Sequence, residues 1–183
     1  LARGWNTEDL ATFMAHGISA QGSMFNEMYP VLHHSTQYLS QGDHLAMATY
    51  LLGEQPGPSA VISTQSLDKL SDSAQRGRQN YLNLCAGCHA DAGQGVPHVA
   101  VAMQGNTTLR QADSRNLLRS IDDGIAEQQF TGFERMQPMP GFADQLDDGQ
   151  MRDLLNYLRQ TWGGLPEDLT AQQVSELRSQ KGH

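Results

Sequence analysis

Apolar and polar positions recur in this chain at a single offset of 107, the separation of Leu10 from Leu117. At that offset Leu10, Gly17 and Ile18 fall on Leu117, Gly124 and Ile125, while Leu39, Gly42, Tyr50 and Leu51 fall on Leu146, Gly149, Tyr157 and Leu158. One offset across two separated blocks marks an internal repeat of a helical unit. Thr7 and Ser114 each precede the first leucine of their copy by three residues and suit helix N-caps. Ser40-Gln41-Gly42-Asp43 and Asp147-Asp148-Gly149-Gln150 each pair a capping residue with an acid or amide three residues on, the pattern of a capping box. The helix opened by the second box places Met151, Leu154, Leu155, Leu158 and Trp162 on one apolar face, and Gly163-Gly164 with Pro166 ends it. Between the copies, turn residues over 54–59 and a polar stretch to Asp72 predict a linker over 54–72. The next helix is predicted from Ser73 to about Cys85. Gly77 and Tyr81 share one of its faces, where the bare glycine admits a close partner helix, with Tyr157 as the expected neighbour. The whole pattern predicts an all-α protein.

The formal net charge is -8, which argues against nucleic acid as a partner and suits either plain solubility or a basic redox partner. No apolar run approaches the roughly 20 residues that span a bilayer, so any membrane attachment is expected through partner subunits. Leu1 is not an initiator methionine and nothing near it resembles a signal peptide. The chain therefore reads as a processed or cut piece.

The chain has two cysteines, and they run directly into a histidine: Cys85-Ala86-Gly87-Cys88-His89. This is the attachment signature of a c-type haem, in which both thiols form thioethers and the adjacent histidine reaches the iron. The alternatives have less support. A structural zinc site needs four ligands, and only His98 stands nearby. A redox CxxC belongs after a strand in a βαβ pattern, whereas these flanks read as helix and glycine-rich loop. One covalent haem c, held by Cys85 and Cys88 with His89 on the iron, is the expectation. It implies the periplasm, because thioether attachment takes place outside the cytoplasm in most bacteria.

Residues 71–163 resemble a class I cytochrome c domain along their whole length: an N-terminal helix, the Cys85–His89 pentapeptide, Gly105-Asn106, Met139-Pro140-Gly141-Phe142 and a last helix bearing Tyr157. The resemblance implies Met139 as the distal iron ligand, with Met136 as the competing one. A thioether is soft and neutral, favours reduced iron and raises the potential. Met103 and Phe142 are expected to pack on the porphyrin, and His98 to lie in a surface loop. Leu155-Asn156-Tyr157-Leu158-Arg159-Gln160-Thr161-Trp162-Gly163 and Val174-Ser175-Glu176-Leu177-Arg178 further resemble the C-terminus of multihaem cytochrome subunits. Those subunits serve bacterial membrane-bound alcohol, gluconate and fructose-type dehydrogenases. One departure is Val101, where such subunits often carry a proline whose carbonyl holds the proximal histidine; Pro97 is the nearest substitute.

The first copy resembles the second half of a preceding cytochrome domain through Trp5, Leu10, Gly17, the Ser35–Leu39 run and Ala48-Thr49-Tyr50-Leu51. Met28 would then be the distal ligand of another haem, whose CxxCH lies before Leu1, and His33 and His34 are surface residues. The expected organisation is a half-domain over 1–53, the linker 54–72, a complete monohaem domain over 73–163 and a tail over 164–183. The expected fold is all-α, a class I cytochrome c fold behind a partial cytochrome c-like helical segment. With His89 and Met139 both on the iron, no position is open to substrate. The function implied is electron transfer between a dehydrogenase subunit and a downstream quinone or oxidase, not catalysis by this chain. The alternatives are a fragment of a diheme enzyme of the peroxidase or thiosulfate dehydrogenase kind, or a haem-based sensor.

Overall fold

A computed structural model describes residues 4–59 and 69–180. Helix α1 (Thr7–His16) is capped by Asn6, whose side chain accepts the Asp9 amide at 2.7 Å. The cap thus lies one residue before Thr7, since asparagine is the stronger N-cap and its oxygen reaches the third helical amide. The short hairpin β1 (Ile18–Ser19) and β2 (Gly22–Ser23) follows, then α2 (Met28–His34), a 3-10 turn over Thr36–Tyr38, and α3 (Gln41–Leu52). Ser40 and Asp43 form the expected capping box at the start of α3.

After the linker, whose central part 60–68 lies outside the described residues, helix α4 (Asp72–Leu84) begins with Ser71 as its cap. Its start is one residue earlier than the sequence suggests. Helix α5 (Ala86–His89), a 3-10 turn (Thr107–Arg110), α6 (Arg115–Asp122), the hairpin β3 (Gln128–Gln129) and β4 (Arg135–Met136), and α7 (Asp148–Gly163) complete the second copy. At the start of α6 the Ser114 side chain makes no capping bond, and Asp113 takes the Arg115 amide instead. Asp147 and Gln150 box the start of α7 as expected. The tail contains α8 (Ala171–Ser179), whose Val174 is buried in the main core and whose Arg178 pairs with Asp122 and Asp148.

The fold is mostly helical, and the two short hairpins depart from the all-α expectation. Strands of two residues carry no periodic signal in a sequence. The repeat is visible in the backbone as well: α3 and α7 start at Gln41 and Asp148, and Gly17 and Gly124 both adopt a left-handed φ of 74°.

Two apolar cores result. The larger joins α4 and α7: a Cβ on Gly77 would land on the Asp153 carbonyl, so only glycine permits this approach. Trp162 packs there edge to face with Tyr81 and Tyr157 at centroid distances of 5.1 and 5.4 Å, and the two tyrosine rings are tilted at 5.5 Å. The smaller core unites Ala11, Met14, Met24, Leu32 and Ala48 of the first copy with Phe130 and Met136 of the second. The N-terminal segment thus buries part of its apolar side against the second copy.

Candidate functional site

Helix α4 ends at Leu84 because Cys85 leaves the helical path, and a single further turn carries the chain to His89. The Cys88 and His89 amides both donate to the Cys85 carbonyl, at 3.1 and 2.9 Å. Ala90 then turns the chain away at φ 62°, and the Tyr81 hydroxyl donates to its carbonyl at 2.5 Å. A positive φ is costly for a residue with a side chain. The buried Tyr81 hydroxyl, docked from α4, helps to hold it.

Cys85 is buried, Cys88 is exposed, and the two are not joined in a disulfide. Burial, reinforced by the neighbouring Cys88, pushes the Cys85 thiol up to about 12. A redox or nucleophilic cysteine needs the opposite shift. Among the described residues no group of three or more His, Cys, Asp or Glu is placed to hold a metal ion.

His89 is 7% exposed. Its Nδ1 bonds the Val101 carbonyl at 2.8 Å. The carbonyl can only accept, so Nδ1 carries the proton and Nε2 is left as the metal-binding nitrogen. Burial lowers the histidine pKa, against the smaller opposing effect of the Val101 bond, and favours the neutral ring a ligand requires. The orienting carbonyl thus belongs to Val101 itself and not to Pro97. A backbone oxygen performs this role, and proline is dispensable for it.

Leu84, Cys85, Cys88 and His89 line a cleft together with Val99, Ala100 and Val101. Ile125, Met136, Pro138, Met139, Pro140 and Phe142 line the same cleft, with Ser23, Gln128 and Gln137 as the polar lining. Met139 is held by its backbone, which exchanges two hydrogen bonds with Ile125 at 2.8 and 2.9 Å. Gly124 permits this pairing, because a Cβ there would strike the Met139 carbonyl and the Pro140 and Gly141 backbone. Met136 also lines the cleft, but it is buried in the smaller core beside Phe130. Phe142 is buried and lines the cleft, whereas Met103 is buried in the main core and is not among the lining residues.

One cleft therefore brings together two thiols, an oriented neutral imidazole, two thioethers and a largely apolar lining. These residues fit a covalently attached haem. Met28 begins α2, is 49% exposed, and does not line the cleft. His98 is exposed at φ 60° beside Glu134, His33 bonds the Gln129 carbonyl, and His34 is exposed. Ser23, Gln128 and the Val101 carbonyl were not singled out from the sequence. Their roles depend on distant segments meeting, and no local motif records that.

Residues 74–162 match the cytochrome c family. Over 183 aligned residues the chain is 29% identical to the alcohol dehydrogenase (quinone) cytochrome c subunit of Gluconobacter oxydans, covering 96% of this chain and 38% of that subunit. It is 30% identical to the gluconate 2-dehydrogenase cytochrome c subunit of Pantoea cypripedii, covering 95% of this chain and 41% of the relative. It is 25% identical to the fructose dehydrogenase cytochrome subunit of Gluconobacter japonicus, covering 96% and 40%. The chain thus spans about two fifths of the length of these relatives. Family match, similarity along the chain and the cleft at Cys85–His89 agree: residues 74–162 belong to the cytochrome c family, in a chain similar to the cytochrome c subunits of alcohol, gluconate and fructose dehydrogenases.

Proposed function

We propose that the chain is part of a multihaem cytochrome c subunit and carries single electrons through one haem c attached at Cys85 and Cys88, with His89 proximal and Met139 distal. The carrying observation is that an oriented His89 and a backbone-clamped Met139 line the same largely apolar cleft as Cys85 and Cys88. A haem bound there supplies a one-electron iron couple. The protein's own residues do the rest. Val101 fixes the imidazole, Pro140 stiffens the loop bearing Met139, and Phe142, Ile125 and Val99 keep water from the iron. Met139 is preferred to Met136 because the latter is buried within the smaller core, whereas Met139 is only partly buried. With His89 and Met139 both holding the iron, a bound haem would have no ligand position left for substrate, and the chain would act as a relay.

The relatives named for alcohol, gluconate and fructose dehydrogenases support a dehydrogenase subunit as donor. The acceptor in this reading is a downstream quinone or oxidase, and thioether attachment of haem c argues for the periplasm. No helix of the described residues is long and apolar enough to cross a membrane. Partner subunits are the proposed route of any attachment to the inner membrane.

The exposed residues of the first copy support the half-domain reading. On α7, Leu154, Tyr157 and Leu158 are at most 2% exposed beneath α4. Their counterparts on α3, Met47, Tyr50 and Leu51, are 37%, 89% and 50% exposed. In the longer polypeptide a helix equivalent to α4 covers this face, and Met28 is the distal ligand of the haem beside it.

Spectroscopy of the haem-loaded protein tests the reading. One covalent haem per chain of this length, the near-infrared band of methionine-ligated ferric haem, and no carbon monoxide binding after reduction are expected. A high-spin or carbon monoxide-binding spectrum would overturn it.

A further inference from the structure

The distal wall of the cleft hangs on a hairpin too small to support itself. Strands β3 and β4 have two residues each, and an isolated two-stranded ribbon is marginal in water. Its support comes from the N-terminal half. The Tyr29 hydroxyl accepts the Gln129 amide at 2.7 Å and donates to the Gln129 carbonyl at 3.1 Å, which His33 Nε2 also reaches at 3.0 Å. Gln129 stands opposite Arg135, and the next amide, that of Phe130, bonds the Glu134 carbonyl. In an antiparallel ladder the hydrogen-bonded pairs alternate, so the Gln129 amide and carbonyl face outward. Tyr29 closes that free edge as a third strand would.

Further contacts fasten the same hairpin. Gln128 Nε2 donates to the Met24 carbonyl at 2.7 Å, and His16 Nδ1 lies 2.7 Å from the Thr131 hydroxyl. The Phe130 ring packs edge-on to Tyr29, and a Cβ on Gly17 would strike both Phe130 and Leu32. Three residues after β4 ends at Met136 the chain reaches Met139. Ser23 of β2 also lines the cleft itself.

We infer that Tyr29 is a positioning residue for the distal iron ligand, and that the N-terminal half is thereby part of the haem site it adjoins. The inference rests on the reading of Met139 as that ligand. It gives α2 two tasks through consecutive residues: Tyr29 braces this haem's hairpin, while Met28 is the candidate ligand of a preceding haem.

Tyr29→Phe keeps the ring and removes only the hydroxyl, so the test is made on the haem-loaded, full chain. Amide exchange across residues 128–139 is expected to quicken roughly tenfold, as befits loss of a paired hydrogen bond. The near-infrared methionine band should weaken and the midpoint potential should fall. Tyr38→Phe, at a ring 76% exposed, should move none of the three. Unchanged exchange overturns the inference, and so does faster exchange with band and potential intact, since the contact would then be structural only. If the unsubstituted holoprotein lacks the band, methionine ligation has failed as a reading, and exchange with potential still decides whether Tyr29 acts on the iron.

Discussion

At the level of single residues, Met136 and Met139 compete in sequence as ligands, three apart with Pro138 between them. The structure separates their duties, because Met136 is 8% exposed within the smaller core while the Met139 backbone is pinned to Ile125. Met139→Ala is expected to lower the potential by part of the roughly 0.8 V range that axial ligands command, and to admit carbon monoxide to the reduced iron. Met136→Ala should leave both readings nearly unchanged but lower the unfolding free energy by about 2–5 kcal/mol, the cost of a buried methionine truncated to alanine. Potentiometry and denaturant titration of the two variants distinguish these outcomes. The pentapeptide at Cys85 was readable because five contiguous residues carry its chemistry. The partner of His89 was not, since the Val101 carbonyl is a backbone atom available from any residue type.

Among elements, the pairing of α4 with α7 decides whether the haem wall stands. Gly77→Ala would drive a methyl group into the Asp153 carbonyl and the Tyr157 Cβ, at a cost of about 1–3 kcal/mol or more, visible as a lower thermal midpoint. The same helices are clasped by Asp153, which accepts from Ser73 at 2.5 Å and from Arg76 Nε at 2.8 Å. Burial alone would raise the Asp153 pKa, but Arg76, Ser73 and Arg152 together outweigh it and hold the carboxyl below its usual 3.8. A lowered carboxyl stabilises the fold above the unfolded-state value and loses that contribution as pH falls through the folded-state value. Acid unfolding of the helix pair is therefore expected below about pH 4, and Asp153→Asn should flatten stability against pH in that range while weakening the protein at neutral pH. Most of these helices were legible, since caps such as Ser40 and Asp147 act within four residues of chain. Asn6 replaced Thr7 and Ser71 opened α4 one residue early, which are shifts within one turn. The hairpins went unread because their order comes from Tyr29, Gln128 and Phe130 meeting across the fold.

Taken whole, the molecule buries the residues of its two sequence copies unequally. Leu158 is 1% exposed and Leu51 50%, although they occupy equivalent positions. Leu158→Ala should cost about 2–5 kcal/mol in chemical denaturation, whereas Leu51→Ala in this chain should stay within about 0.5 kcal/mol. Equal costs at the two sites would mean the α3 face is already covered. The sequence by itself determined the chemistry: local spacing supplied the thioether pentapeptide, the helix caps, the repeat at offset 107 and the bare Gly77. Tertiary structure alone decided that the first copy closes over the Phe130–Met136 hairpin, that Val101 orients His89, and that Met103 packs in the core while Phe142 faces the cleft. The physical reason is one of range. Caps, turns and covalent motifs are short and leave their mark in neighbouring residues, whereas burial and hydrogen-bond partnership between residues a hundred positions apart exist only once the chain has packed.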